Sequence, residues 1–291
     1  MRIDAVGLAT DPVVQTVDRR WLLAYAASVG SSAPALTDTR RPGGVVAHPL
    51  FAVAVEWRAV LAAQRLVPPQ DDLLPGVHAT HDLVLHRPIR EGDTLATVAT
   101  IEDVSEQRYG VLQVLRLDTV DDAAQPVATT RMGLAFRPAS PQPPHQRTGH
   151  LRTRKPMDSV PSFGEADEVV ASELRLPRGL AHAYTECSRI WNPIHTDPEA
   201  ARAAGLAEPI LHGTCTLAVV VSRILHSALD GDPTRVAALR ARFAAPVTLP
   251  AVLKLRHTTV GERIELTAAR DDGRVVLADG VVDLGPSRSN L

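Results

Sequence analysis

The sequence predicts an α+β fold in two similar halves. Each half is a long buried helix followed by an antiparallel sheet. Three observations predict this. An apolar segment of helical length, "HPLFAVAVEWRAVL" (His48–Leu61), recurs as "HGTCTLAVVVSRIL" (His212–Leu225). A proline-to-leucine spacing follows each, "PIREGDTL" (Pro88–Leu95) and "PVTLPAVL" (Pro246–Leu253). After each come three runs rich in Val, Leu, Ile and Thr, separated by turn residues.

The two helical segments are apolar on nearly every side, so neither can lie on a surface. Pro49 suits a helix start, where a missing N–H costs nothing. The strand runs of the first half are "LATVATIEDV", "YGVLQVLRLDTV" and "PVATTRMGLAF". Those of the second are "VLKLRHTTV", "RIELTAAR" and "RVVLADGVVDL". A sheet with one apolar face has to be covered, and a central helix covers it. Between the halves the chain turns rich in Pro and basic residues, which reads as a linker or a surface excursion. The expected organisation is therefore 1–138, a linker over 139–162, and 163–291.

A chain of 291 residues with 45% hydrophobic content can bury two such cores. A formal net charge of -2 argues against a strongly electrostatic nucleic-acid partner. No apolar run approaches the roughly 20 residues that span a bilayer. The opening "MRIDAVGLATDP" has no long apolar region of the kind that directs secretion. Cys187 and Cys215 have neither metal-ligand spacing nor a disulfide framework and read as small core residues. A cytoplasmic setting is expected.

The densest chemistry lies in "RIWNPIHTDPEAARAAGLAEPILHGT" (Arg189–Thr214). Upstream, "LAHAYTECSRIW" predicts a helix with Leu180, Ala183, Tyr184 and Cys187 on one side. Pro193 disfavours helical geometry at Asn192, so the chain turns there. Asp197 or Thr196 caps the next helix, Pro198 takes its first position and Gly205 ends it. Asn192 and His195 thus sit on a tight turn. The chain then runs to His212-Gly213, where a buried helix begins with N–H groups that lack internal partners. Gly213 lets a substrate approach the backbone, and such an N-terminus stabilises an oxyanion. His195 reads either as a general acid/base or as a loop bridge. His212 reads better as a tie between turn and helix. Trp191 either covers the cleft or packs.

The motifs "NPIHTDP", "AGL" and "PILHGTCTLA", continued by "RFAAPVTLP", resemble the MaoC-like hydratase/dehydratase family, the type 2 or (R)-specific enoyl-CoA hydratases. A weaker likeness runs through "PLFAVAV" and "LHRPIREGDTL". The resemblance implies a double hotdog: two long helices, each wrapped by an antiparallel sheet, with a degenerate first half that helps house the acyl chain. It implies reversible hydration of a trans-2-enoyl thioester to an (R)-3-hydroxyacyl thioester. No metal or redox cofactor is implied; coenzyme A or an acyl-carrier arm belongs to the substrate. The implied partners are that thioester, an acyl-carrier protein and a second copy in a homodimer, with no nucleic acid and no membrane.

The resemblance carries the catalytic Asn and His onto Asn192 and His195, and the oxyanion glycine onto Gly213. The family's Asp falls on Ile190, which can neither accept nor deliver a proton. Glu186 or His182 is a possible substitute. If neither substitutes, a cyclase or isomerase acting on a polyketide-like substrate, or a non-catalytic acyl-binding subunit, also fits. Helical spacing predicts that Ile190 faces the cleft and that Ile190→Asp raises simple hydration.

Overall fold

The computed structural model describes residues 5–67, 73–107, 110–138 and 168–286. The expected linker, 139–162, lies outside the described residues. The first half runs β1 (Val13–Thr16), α1 (Arg19–Ser28), α2 (Pro34–Thr37), α3 (Ala52–Leu66), β2 (Val77–Leu85), β3 (Thr94–Gln107), β4 (Gly110–Val120) and β5 (Pro126–Phe136). The second runs β6 (Val170–Leu176), α4 (Leu180–Ser188), α5 (Pro198–Ala203), α6 (Gly213–Ala228), β7 (Val236–Phe243), β8 (Ala251–Val260), β9 (Arg263–Arg270) and β10 (Val275–Leu284).

The strands form one antiparallel sheet in the order β1-β3-β4-β5-β2-β7-β10-β9-β8-β6. The order is the same read outward from the β2–β7 pair. In each half the strand after the central helix lies at the middle, a three-stranded meander follows, and the half's first strand closes the edge. This is the double hotdog that the resemblance implies. The three expected runs in each half are β3, β4, β5 and β8, β9, β10. The sequence reading did not include β2 and β7, the two strands that join the halves.

Both central helices are buried as their composition requires. In α6, Cys215, Ala218, Val220, Val221, Ile224 and Leu225 are fully inside. In α3 the same holds for Val53, Val55, Ala59 and Val60. At the mouth of α3, the chain makes a 3-10 turn over Pro49–Phe51 before the helix proper. His48 accepts the N–H of Leu50 on Nδ1, and its Nε2–H donates to Ser222 Oγ of α6 at 3.2 Å. One buried imidazole therefore ties the two halves together.

The pairing of β2 with β7 places Leu83 opposite Leu239, at 0% and 2% exposure. Truncating a fully buried leucine removes transfer free energy and leaves a cavity. Leu83→Ala is expected to lower stability by about 2–5 kcal/mol. Because the sheet is continuous, chemical denaturation followed by circular dichroism should show one transition, shifted to lower denaturant. Separate transitions for the two halves would contradict a shared core.

The buried titratable groups set a pH dependence. Burial pushes His48 down to about 3 and His81 to about 4, and holds His212 well below the ordinary 6.5. Each stays neutral when folded but takes up a proton when unfolded below pH 6.5. Their stabilising contribution is present above pH 6.5 and is lost as pH falls towards 4. Burial pushes Glu56 the other way, up to about 8 from an ordinary 4.5, although its Oε1 accepts the Thr130 hydroxyl at 2.7 Å. Its contribution is present below pH 4.5 and is lost between 4.5 and 8. Where the unfolded form alone is protonated, each histidine adds a slope of about 1.4 kcal/mol per pH unit. Three histidines outweigh one carboxyl, so denaturation midpoints should fall between pH 6.5 and 4.5. A midpoint that rises on acidification in that window would refute the neutral-histidine assignment.

Candidate active site

The stretch from α4 to α6 folds as a chain of local constraints. The helix α4 packs on α1, with Tyr25 and Tyr184 meeting edge to face at 5.7 Å. Arg189 ends α4 in the left-handed region, φ 60°. Its guanidinium holds Asp18 at 3.1 Å and lies 4.1 Å over the Trp21 ring, which stabilises a conformation that non-glycine residues rarely adopt. The chain then makes a 3-10 turn over Pro193–His195, capped by Asn192 Oδ1, which accepts the N–H of Ile194. Asp197 caps α5, with Pro198 at its first position and Gly205 at φ +73° beyond its end, as the sequence predicts.

His195 is fixed by this turn. Its Nδ1–H donates to the Ile210 carbonyl oxygen at 2.7 Å, which leaves Nε2 as the bare nitrogen. That nitrogen is not among the occluded polar atoms. The His195 ring stacks on His212, with centroids 3.6 Å apart. His212 in turn donates Nε2–H to the Ile190 carbonyl oxygen at 3.3 Å, tying the turn to the mouth of α6. This is the tie expected of it. Burial holds His195 down at about 4, so the imidazole is neutral at physiological pH, with its Nε2 lone pair free to accept a proton but a weaker base than a solvated histidine.

Gly213 is the first residue of α6, and His212 makes no side-chain cap there. Among the described residues, the Gly213 N–H has no hydrogen-bond partner. The Phe243 ring packs against this residue so closely that a Cβ would stand 2.9 Å from it. Only glycine fits beneath that ring. Gly213, Ile210 and Phe243 line a cleft of about 420 Å³. That volume falls in the range of small-molecule sites, roughly 300–1,000 Å³. First-half residues form the opposite wall, among them Val77, His78, Thr80 and Ala135. Neither His78 nor Phe243 was identified from sequence, because both sit on the two unrecognised strands. The available signal was "VHATHDLVLH", three histidines in a run that would otherwise read as a strand.

Three expectations are corrected. Glu186 and His182 are exposed on the outer face of α4 and are not brought to the cleft. The buried face of α4 is Leu180, Ala181, Tyr184, Thr185 and Ser188, so Ala183 lies outside and Cys187 is half-buried. Ile190 does not line the cleft: it is 3% exposed within the main hydrophobic cluster. Helical spacing fails for residue 190 because α4 ends at Ser188 and Arg189 reverses the chain. Trp191 is 58% exposed and is not among the residues that line the cleft. The Cys215 side chain is a buried core residue, as expected.

The first half keeps the frame of this site but not its chemistry. The Ala47 N–H donates to Ile89 O at 2.8 Å, just as Leu211 N–H donates to Val247 O at 2.7 Å. His48-Pro49 stands where the second half has His212-Gly213. Proline has no N–H to offer, and the space at that mouth is only about 20 Å³. No cluster of ligands able to hold a metal occurs among the described residues, and no described helix is long and apolar enough to cross a membrane.

Residues 166–276 match the family described as MaoC like domain, and residues 4–130 match the FAS1-like dehydratase domain region. A mouse protein, peroxisomal multifunctional enzyme type 2, is 29% identical over 212 residues, 72% of this chain and 28% of that protein. A Mycobacterium tuberculosis protein, 3-hydroxyacyl-thioester dehydratase X, is 30% identical over 183 residues, 62% of this chain and 58% of its own length. The chain thus spans less than two thirds of either relative. A MaoC-like dehydratase from Phytophthora capsici has the same fold, with a TM-score of 0.79 at 21% identity over the whole of both chains. Two dehydratase-type matches, one in each half, and the two helices wrapped by one continuous sheet give one conclusion: in a double-hotdog fold, the second half carries a MaoC-like domain and the first half a FAS1-like dehydratase region.

Proposed function

We propose that this chain adds water reversibly to a trans-2-enoyl thioester, giving a 3-hydroxyacyl thioester, with His195 as its single base. The observation that carries this reading is the juxtaposition at the mouth of α6. The bare Nε2 of a neutral His195 lies one stacked ring from the free N–H of Gly213. The name of the mycobacterial relative supports it.

In the hydration direction, Nε2 takes a proton from water as the oxygen attacks C3. The double-bond electrons move to the thioester oxygen, where the Gly213 N–H and the helix dipole hold the developing charge. The proton on Nε2 then passes to C2, which restores neutral His195. Neutrality is set by burial, and the Nδ1–H bond to Ile210 O fixes the tautomer that leaves Nε2 able to accept. Asn192 shapes the turn that carries His195. Its amide oxygen is engaged as the cap, so the amide NH2 is what remains to donate to substrate. The family acid is replaced by Ile190, so no second proton carrier stands at that position. The substrate arrives on coenzyme A or a carrier protein's arm, and the acyl chain occupies the apolar cleft between the halves. The proposed steps require neither a metal nor a redox cofactor. A homodimer belongs to the same proposal.

Mass analysis after incubation with a panel of enoyl and 3-hydroxyacyl thioesters tests this. Gain or loss of one water is the expected change. A rearranged or cyclised product of unchanged mass would favour the isomerase or cyclase reading instead, and no change at all would favour acyl binding. His195→Ala should lower turnover by about 10²–10⁴-fold while circular dichroism stays that of the parent. Turnover at the parent rate would reduce His195 to a bridge in the loop.

Ile190→Asp separates fold from chemistry. The new carboxyl replaces a packed apolar side chain in the core, where it remains protonated and lacks ordered partners. Stability should fall by roughly 2–4 kcal/mol. Hydration of crotonyl-CoA should not rise, because the carboxyl lies outside the cleft. A faster variant would place residue 190 in contact with the reacting water.

A further inference from the structure

A base alone does not hold a water in line with C3, and Ile190 offers it nothing. The first half supplies an imidazole to the cleft wall itself, which neither Asn192 nor His195 lines. His78 lines it from β2, next to an irregularity in the β2–β5 pairing between His78 and Thr80. Its Nε2–H donates to the Thr80 carbonyl oxygen at 3.0 Å. The tautomer is thereby fixed, and Nδ1 is the bare nitrogen. No hydrogen bond satisfies that atom, and it is not among the occluded polar atoms. The ring is braced edge-on by Phe243 at 4.8 Å and by His81 at 5.3 Å. Phe243 is the same ring that packs over Gly213. His78 thus reaches Gly213 through Phe243, and His195 reaches it through His212. A charge on His195 would also reach His78 and disfavour a proton there.

We infer that His78 holds the attacking water opposite His195: the bare Nδ1 of one and the bare Nε2 of the other each accept one of its hydrogens. This rests on the hydratase reading above. A water that donates both hydrogens to fixed acceptors presents its lone pairs to the substrate. His78 itself neither gains nor loses a proton. His195 Nε2 takes the hydrogen that leaves the water, the oxygen bonds to C3, and the same proton returns to C2. The acceptor supplied in the family by a carboxylate comes here from the other half of the chain. Neutral imidazoles do this without placing a buried negative charge beside the developing oxyanion.

Two reactions of the 291-residue chain separate the roles. Hydration of crotonyl-CoA needs the held water. Exchange of a C2 hydrogen of butyryl-CoA in deuterated water needs only the base and the oxyanion donor. His78→Leu should lower kcat for hydration on the order of 10²-fold, with KM little changed, and keep the exchange. His78→Asn, whose side chain places an acceptor near the position of Nδ1, should recover most of the hydration rate. His195→Ala should lose both reactions. Folding of each variant is followed by circular dichroism. Hydration by His78→Leu at the parent rate would overturn the inference, as would loss of exchange together with hydration. A parent protein that neither hydrates nor exchanges would instead remove the hydratase reading, and this inference with it.

Discussion

The pairing of β2 with β7 is the constraint on which the rest depends. Five residue pairs, from Thr80↔Arg242 to Val84↔Ala238, turn two five-stranded sheets into one. Strand register is strict because a slip of one residue exchanges the two faces. Here it keeps Leu83 and Leu239 inside together. The same register brings the start of β2 beside the end of β7, so His78 meets Phe243 and Phe243 covers Gly213. The cleft is therefore a product of the seam. Neither half alone would supply both walls.

Burial of the two central helices then sets the electrostatics. Apolar surroundings penalise charge, and the histidines at the helix mouths and along β2 are held neutral. A neutral imidazole presents one donor and one acceptor. Wherever a carbonyl oxygen claims the donor, the acceptor is left over. Ile210 O does this for His195, and Thr80 O for His78. The backbone thus selects which nitrogen can act as a base, and burial ensures that it is unprotonated.

What was legible in the sequence was what periodicity and punctuation determine locally. The two apolar helices, the six meander strands, the cap at Asp197 and the turn at Pro193 are set by neighbours a few residues away. The seam strands were not legible. The β7 segment "VAALRARF" is rich in Ala, Leu and Arg, all strong helix formers, and only its partners on both sides make it a strand. The β2 segment carries histidines and an aspartate, which mask its alternation until the seam buries one face. Asn192, His195 and Gly213 stand out as candidates because they share one short stretch. His78 could not be, because it reaches the cleft from more than a hundred residues away. Ile190 was misplaced by helical extrapolation, since the sequence gives no sign that Arg189 is held left-handed by Asp18 and Trp21.

The two mouths of this chain also show why repetition of the fold does not repeat the chemistry. Both have the same anchor, a backbone hydrogen bond from the residue before the histidine to the strand-entry loop. Both have a buried histidine at the entrance. They differ at the next residue. Gly213 leaves an N–H free and makes room for the Phe243 ring, and the space in front remains open. Pro49 has no N–H, and its ring and neighbours leave little room. At the first mouth the histidine is freed from any part in a site, and His48 spends both nitrogens on structure, to Leu50 N–H and Ser222 Oγ. The two halves thus take different tasks. In the proposed reaction the second provides a donor and a base, and the first provides a wall and, in His78, an acceptor for the water.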